Sequence, residues 1–236
     1  MADTNIDELG IPGDVICNAI DLGNLGVIAP HKNKYIYRYD IDWLISEYEH
    51  DKSIKCVAFW QAGPGHKNAC FSQWYKNEHF YVNGRKYVTA EQYMMSEKAL
   101  LFGDLDSYRA IMKEGDPSEC KKLGRGVKNF DSAVWKKAMR EIIFHGNLAK
   151  LQSDICIVDA LLETGDAVLV EASPVDDIYG SGVSADDLLN GDGTLKISPQ
   201  EWHKEGSSKL AENNLGFVLM GLRDLFMDLM PGGWDD

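Results

Sequence analysis

The strongest local structure signal in this chain is a helix pattern that begins at Thr89. Gln92, three residues later, is typical of a capping box at a helix start, and Gly103 is typical of the position just after a helix end. Glu91 and Lys98 are seven residues apart, so at about 3.6 residues per turn they share one face, roughly 10 Å apart along the axis. Two interpretations stay open: two solvated charges at the edge of an amphipathic helix, or an acid and an amine that hold a ligand between them.

The rest of the pattern predicts an α+β fold in which helices dominate and strands are few and short. We expect helices over 41–48, 105–113, 117–123, 131–144, 153–163 and 215–227, where apolar residues recur at helical spacing. We expect strands over 54–60 and 167–172, and a hairpin over 80–87 with Asn83-Gly84 as its turn. With 236 residues, 44% of them hydrophobic, the chain can form one core. We therefore predict a flexible N-terminus at 1–14, a single domain at 15–230 and a C-terminal tail at 231–236.

The charge of the chain limits its partners. A formal net charge of −13 argues against a long duplex nucleic-acid footprint, which usually needs a basic stripe. The region 121–140 is the most basic part of the sequence, and a few cations suffice to hold one modified nucleotide or a small phosphorylated metabolite. The sequence has no run of 18 apolar residues and no signal-peptide pattern. We expect no membrane association and a cytoplasmic location, with a nuclear one also compatible.

Common catalytic and metal-binding motifs are missing from the sequence. It has no P-loop, no GxGxxG after a predicted strand, no HExxH and no GxSxG. Its five cysteines are odd in number and form no CxxC pair, and its six histidines form no i, i+4 pair. We therefore expect free thiols and neither a metal nor an organic cofactor.

Six blocks of sequence stand out by their order and spacing. They are FSQWY at 71–75, FYVNGRKY at 80–87, TAEQYMMSEKALLFGD at 89–104, LGRGVKNF at 123–130, LVEASPVDDIYG at 169–180 and NNLGFVLM at 213–220. Together they resemble the NADAR family (NAD- and ADP-ribose-associated, also called YbiA-like), over about Val57 to Phe226. Between the last two blocks, the acidic and turn-rich stretch at 184–200 departs from the compact spacing of that family, and we predict a surface insertion there.

The resemblance implies an N-glycosidase, which hydrolyses the bond between a base nitrogen and a sugar. Two substrate classes fit: ADP-ribosylated guanine in a nucleoside, RNA or DNA, which we take as the leading one, and intermediates of riboflavin biosynthesis. A non-catalytic module that binds NAD or ADP-ribose is the alternative from another class. The expected partner is an ADP-ribose-containing or ribosyl-base small molecule, with ADP-ribosylated RNA or DNA as further candidates.

The resemblance points to Glu91, Lys98 and Asp176 as the catalytic group. Cleavage develops positive charge on the sugar, so it needs a carboxylate nearby and a proton donor for the departing base, roles that Glu91 and Asp176 can fill. A neutral Lys98 can instead capture the ring-opened sugar as a Schiff base, the route we favour, and its rival role is a phosphate clamp. Because Glu91 and Glu97 favour the charged amine, we expect apolar neighbours on the same helix, such as Met94, to desolvate it.

Ligand-binding groups are expected in the same blocks. We predict them at Ser72, Gln73, Trp74, Tyr75, Arg125, Lys128, Tyr179, Gly180 and Asn213. The aromatic members offer flat faces to a base, and the two cations, with nearby backbone N–H groups, suit phosphate. Tyr179 stands where the family usually has tryptophan, while Trp135 and Gly216 are assigned to the fold. The alternative is that the rings belong to the core and the cations are solvated.

Overall fold

The computed structural model describes residues 34–229; the predicted flexible N-terminus at 1–14 and the tail at 231–236 lie outside this range. The described part is α+β, as predicted, and helices dominate it. In chain order the elements are α1 (Ile41–His50), β1 (Cys56–Phe59), β2 (Phe80–Val82), β3 (Arg85–Tyr87), α2 (Ala90–Leu101), α3 (Leu105–Lys113), α4 (Pro117–Arg125), α5 (Ser132–Gln152), α6 (Ile155–Leu162), β4 (Val168–Glu171), α7 (Ala185–Leu188) and α8 (Asn214–Leu229). The predicted helices and strands are all present.

The strands form two small sheets. β1 and β4 run parallel, and their register pairs Phe59 with Glu171 at the end of both strands. β2 and β3 are the predicted hairpin, in which Asn83 has φ 49° and Gly84 has φ 73°. Positive φ at both central residues is the mark of a type I′ turn, whose twist matches that of the strands. Because parallel strands end at the same edge, the chain that leaves β1 lies beside the chain that leaves β4.

Helix α5 differs most from the prediction, because it continues past the expected end at residue 144. Gly146 and Asn147, which often end helices, serve packing and hydrogen bonding here. A Cβ at Gly146 would lie 2.4 Å from Cδ1 of Tyr93, so the close approach of α5 to α2 requires glycine. The side-chain amide of Asn147 donates to the Ile143 carbonyl oxygen at 2.9 Å within the helix. The helix therefore keeps buried residues up to its last turn.

The acidic stretch at 184–200 is anchored to the core, which a simple surface insertion would not be. Asp186 and Asp187 are exposed, but Leu188 in α7 is fully buried. The Gly193 carbonyl oxygen accepts from the backbone N–H of Cys56 at 2.8 Å. This bond attaches the stretch to the outer edge of β1, and covered strand edges are protected from pairing with other chains.

Residues 34–229 include no helix that is both long and apolar enough to cross a membrane. Within the same range, no group of three or more His, Cys, Asp or Glu side chains is placed to hold a metal ion. The cysteines of this range, Cys56, Cys70, Cys120 and Cys156, are free thiols, and Cys17 lies outside it.

Candidate active site

Helix α2 has the predicted start and end. Oγ1 of Thr89 accepts from the backbone N–H of Gln92 at 3.1 Å. The side chain of Gln92 accepts from the N–H of Val88 at 3.0 Å rather than from Thr89, so the predicted capping box closes one residue earlier. At the other end Gly103 has φ 70°, the left-handed conformation that commonly follows a helix. These caps fix the position of the ionisable side chains that α2 carries.

The interpretation of α2 as a solvated edge is wrong. Glu91 is only 2% exposed, and Lys98 is partly buried. The helix packs against α3, α4 and α5, so little of its surface meets water. Glu91 and Lys98 interact electrostatically, as the helical spacing predicts. Their charges therefore act in a medium less polar than water, where such interactions are stronger.

The carboxyl of Glu91 lies within an ionic cluster. Burial raises its pKa to about 7; Lys121 is the strongest opposing influence, and Asp176 adds to the increase. Trp74 and Arg125 also lower this pKa, which shows that both lie near the carboxyl. Oε1 of Glu91 is buried without a hydrogen-bond partner. Buried polar atoms are normally paired, so this acceptor is available to a ligand.

A cavity of about 640 Å³ lies beside this cluster, a volume typical of small-molecule sites. It is located at the carboxyl ends of β1 and β4, the edge where parallel strands commonly place ligands. The chain after β1 supplies one wall, the end of β4 and the loop after it a second, and α4 a third. The cavity is lined by Trp60, Gln61, Ala62, Ser72, Trp74, Ser118, Lys121, Lys122, Arg125, Glu171, Ser173, Val175 and Asp176.

Asp176 lines the cavity as predicted, but its carboxylate already has several partners. Oδ1 accepts from the backbone N–H groups of Ile178 at 3.1 Å and Tyr179 at 2.9 Å. Oδ2 lies 3.3 Å from Nζ of Lys121 in a partly buried ion pair. These bonds hold the carboxylate in place and shape the loop after β4. Both oxygens of Asp176 therefore already have partners within the protein.

Glu171 lines the cavity together with Asp176, and the sequence analysis did not single it out. Burial raises its pKa to about 8, Asp176 and Glu91 add to the increase, and Lys121 opposes it. Its Oε2 is buried without a hydrogen-bond partner. The signal in the sequence is its place as the last residue of a buried strand, but only the fold shows that this strand ends at the cavity.

The amine of Lys98 lies close to two aromatic rings from other parts of the chain. The sequence analysis had expected apolar neighbours on its own helix. Its Nζ lies 4.2 Å from the ring centroid of Phe130 and 5.6 Å from that of Trp135. Burial lowers the pKa of Lys98; Glu91 opposes this decrease and Arg125 adds to it. Lys98 is not part of the cavity lining, but it interacts with Arg125, which is. The direction of the pKa shift favours a neutral amine.

Glu97 does not belong to this cluster, although we expected it to favour the charged form of Lys98. Burial raises the pKa of Glu97 to about 7, and Arg85 lowers it. Its other neighbours are tyrosines: Glu97 raises the pKa of Tyr87, Tyr93 and Tyr108, in each case as a smaller cause than burial. Glu97 thus lies on a different face of α2 from Glu91.

Ser72, Trp74 and Arg125 are the predicted ligand-binding residues that line the cavity. The cavity also has lining residues that the sequence analysis did not single out as ligands, above all Trp60 and the amines of Lys121 and Lys122. The indoles of Trp60 and Trp74 are each 37% exposed, which leaves their faces available for stacking. Trp60 directly follows β1. The sequence alone does not indicate that a tryptophan at this position lines a cavity.

Three other predicted ligand-binding residues, Gln73, Tyr75 and Lys128, lie elsewhere. The side chain of Gln73 is buried and accepts from the amide of Asn147 at 2.9 Å. The ring of Tyr75 lies 5.4 Å from the buried amine of Lys150. Nζ of Lys128 lies 3.4 Å from Oδ2 of Asp106 in an exposed ion pair. For these positions the structure agrees with the core or solvated alternative.

Tyr179 is also absent from the cavity lining. Its hydroxyl accepts from Nε1 of Trp135 at 3.0 Å, and burial raises its pKa. Trp135, which the sequence analysis assigned to the fold, is thereby fixed beside Lys98. Tyr179 therefore does not line the cavity, although it interacts electrostatically with Glu91, Asp176 and Glu171.

Gly180 and Asn213 shape the end of β4 and do not line the cavity. A Cβ at Gly180 would lie 2.7 Å from the carbonyl oxygen of Glu171, so no larger residue fits. The Asn213 side chain accepts from the backbone N–H of Glu171 and donates to the carbonyl oxygen of Leu169, both at 3.0 Å. Asn213 thus replaces a neighbouring strand along β4 and fixes Glu171.

Comparison with known proteins places these features in a family. The model of a family described as NADAR domain matches residues 58–227. N-glycosidase R617 of Acanthamoeba polyphaga mimivirus is 40% identical over 158 residues, which are 65% of this chain and 85% of the viral protein. N-glycosidase Npun_R5314 of Nostoc punctiforme is 25% identical over 161 residues, 68% of this chain and 87% of the relative. The NMR structure of Escherichia coli YbiA shares the fold, with a TM-score of 0.53 and 22% identity over 73% of this chain and 84% of YbiA.

Proposed function

The chain belongs to the NADAR domain family, and we propose that it is an N-glycosidase that removes ADP-ribose from ADP-ribosylated guanine. The names of two curated relatives, each an N-glycosidase, support the type of bond that is hydrolysed. The substrate and the chemical route are our inference from the cavity. The net charge of −13 favours a free nucleoside or a single strand over a duplex as the carrier of the modified guanine.

One observation carries the proposal: the buried, unpartnered carboxyl oxygen of Glu91 beside a cavity with cationic walls. An unpaired buried acceptor costs about 1–3 kcal/mol of stability, which a fold retains when a ligand uses the acceptor. Cleavage of an N-glycosidic bond develops positive charge at the sugar. A carboxylate next to that charge stabilises the transition state more than the ground state, which is what a catalyst requires.

The walls of the cavity suit a phosphorylated ligand with a base. Lys121, Lys122 and Arg125 project from α4, and the amine of Lys122 and the guanidinium of Arg125 are exposed. Within residues 34–229 the guanidinium of Arg125 has no hydrogen bond or ion pair, so both of its N–H edges are free to bind phosphate. The exposed indoles of Trp60 and Trp74 offer stacking surfaces for flat bases.

Lys98 suits the Schiff-base route. The guanine amine nitrogen forms a C=N bond to the anomeric carbon while the bond from that carbon to the ring oxygen breaks, and the ring oxygen takes the proton that the amine loses. The neutral amine of Lys98 then attacks the anomeric carbon, and the guanine amine departs with a proton. Water adds to the lysine imine, the amine leaves, and ADP-ribose closes its ring. Burial lowers the pKa of Lys98, which supports the neutral amine that this route needs, and Arg125 provides the cation for phosphate.

The test is product analysis after incubation with ADP-ribosyl-guanosine, with a riboflavin-biosynthesis intermediate in parallel. We expect ADP-ribose and guanosine from the first and no turnover of the second. Release of ribose 5-phosphate from the intermediate alone would move the function to riboflavin metabolism. Tight binding of ADP-ribose with no turnover of either compound would identify a binding module and contradict the proposal.

A further inference from the structure

We infer that Glu171 is the proton donor to the departing base, a role that neither the family resemblance nor the relatives assign to it. The inference rests on the proposed N-glycosidase function and names the acid that this function needs. Departure of a base nitrogen requires a proton in or before the step that breaks the bond. Glu171 and Asp176 line the cavity and the buried Glu91 lies beside it, so the question is which of these carboxyls carries that proton.

The position of Glu171 suits a rigidly placed acid. It is the last residue of β4, and its side chain lines the cavity. Its backbone N–H donates to Oδ1 of Asn213 at 3.0 Å, and Gly180 packs against its carbonyl oxygen with no room for a Cβ. Its Oε2 has no hydrogen-bond partner, so a proton there would be available to a ligand.

The surroundings divide the three carboxyls by charge. Both oxygens of Asp176 are already engaged, by two backbone N–H bonds and by the ion pair with Lys121. Burial raises the pKa of Glu91 to about 7, and the cations Lys121 and Arg125 oppose that increase.

Glu171 is influenced by the anions Asp176 and Glu91, with Lys121 as the opposing cation. Burial is the largest cause that favours its neutral form, and the carboxyls of Asp176 and Glu91 add to it, so its pKa of about 8 agrees with a protonated acid at neutral pH.

Glu171 gives up one proton and regains one in each turnover. The bond between the anomeric carbon and the base nitrogen breaks, and its electron pair stays on the nitrogen, which takes the proton of Glu171. Water then bonds to the anomeric carbon, either directly or after Lys98 has held the sugar as an imine. The proton that water loses returns to the Glu171 carboxylate. The net reaction consumes one water and leaves the enzyme unchanged.

The first test needs no substrate. Difference infrared spectra of wild type minus Glu171→Gln should show the carbonyl band of a protonated carboxyl at pH 7, and the band should disappear with a midpoint near pH 8. Glu97→Gln, the same change at a buried glutamate outside the cavity, should leave that Glu171 band in place. A spectrum without the band at pH 7 would show an ionised Glu171 and overturn the inference, whatever the substrate.

The second test compares leaving groups. With ADP-ribosyl-guanosine, Glu171→Gln should lower kcat by about 10²-fold or more with little change in KM. With the 4-nitrophenyl conjugate of ADP-ribose, whose leaving group departs as an anion, the loss should shrink to less than about 10-fold. Equal losses on both conjugates would overturn the inference. A wild-type protein that cleaves the aryl conjugate but not the guanosine conjugate would contradict the proposed substrate alone.

Discussion

Helix α2 carries a buried glutamate on each of two faces. The pKa values of the two glutamates are raised by the same amount, but their surroundings differ. Glu91 and Glu97 are 2% and 5% exposed, and burial raises the pKa of each to about 7. Glu91 interacts with the cations and the indole that line the cavity. Glu97 interacts with Arg85 and with buried tyrosines, away from the cavity lining.

The comparison shows that burial and a raised pKa do not by themselves identify a catalytic carboxyl. What distinguishes Glu91 is its unpaired oxygen, its cationic neighbours and a cavity beside them. Perturbed groups also occur in structural networks, and Glu97 belongs to one of these. Variants on the two faces of α2 should therefore differ in activity much more than in stability.

The largest effect is expected at Lys98, on the face of α2 that also carries Glu91. Lys98→Ala should lower kcat by about 10³-fold or more, because the covalent route loses its nucleophile. Lys98→Arg keeps the charge but cannot form the imine, so it should be as inactive as the alanine variant. Single-turnover release of ADP-ribose measures both. Recovery of activity in Lys98→Arg would support the phosphate-clamp role instead.

The next effect separates the two glutamates directly. Glu91→Gln should lower kcat/KM by about 10²-fold to 10³-fold, whereas Glu97→Gln should change it by less than about 3-fold. In wild type and Glu97→Gln, kcat/KM should rise as pH increases through about 7, because Glu91 becomes the carboxylate that acts. The Glu91→Gln variant should not show this rise of kcat/KM with pH. Similar losses in both variants would remove the distinction between the faces.

A smaller effect tests the support of the cavity face by Asn213. Asn213→Ala removes the bonds to Glu171 and Leu169, so urea unfolding should show a loss of about 2–3 kcal/mol. Asn190→Ala, at an exposed residue bonded to Thr194, is the control and should cost less than about 0.5 kcal/mol. Equal costs at the two positions would contradict the strand-like role of Asn213.

The smallest effect concerns the cations. Arg125→Ala should raise KM about 10-fold, because a charge-assisted bond to phosphate is lost, and added salt should reduce the difference. Lys128→Ala removes a similar charge from an exposed ion pair and should change KM by less than about 2-fold. A larger effect at Lys128 than at Arg125 would show that Lys128 binds the ligand, as the sequence analysis predicted, and would contradict its placement outside the cavity.

The sequence was sufficient for features set by neighbouring residues. The caps of α2, the Asn83-Gly84 turn and the shared environment of Glu91 and Lys98 all follow from local spacing. The end of α5 was not predictable, because Gly146 serves contact with a helix distant in sequence. The same reason applies to the site: Glu171, Lys121 and Trp60 meet only because β1, β4 and α4 converge.

For some predicted ligand-binding residues, residue type alone also gave the wrong location. Lys128 and Arg125 lie in one short block, yet only Arg125 lines the cavity, since α4 ends at Arg125 and Lys128 turns toward Asp106. The amide of Asn213 could hydrogen-bond a ribose, but both its oxygen and its nitrogen are already bonded to the backbone of β4. Contacts between segments that are distant in sequence determine where these side chains lie, and residue spacing does not predict such contacts.

The most direct measurement is to mix the protein with ADP-ribosyl-guanosine, reduce the mixture with borohydride, and determine the intact mass. We expect a gain of one reduced ADP-ribose in wild type and in Glu97→Gln, and no gain in Lys98→Ala. Released ADP-ribose without an adduct would contradict the lysine route and leave direct hydrolysis by the carboxyls. Neither an adduct nor released ADP-ribose would contradict the proposal that this cavity cleaves the bond between ADP-ribose and guanine.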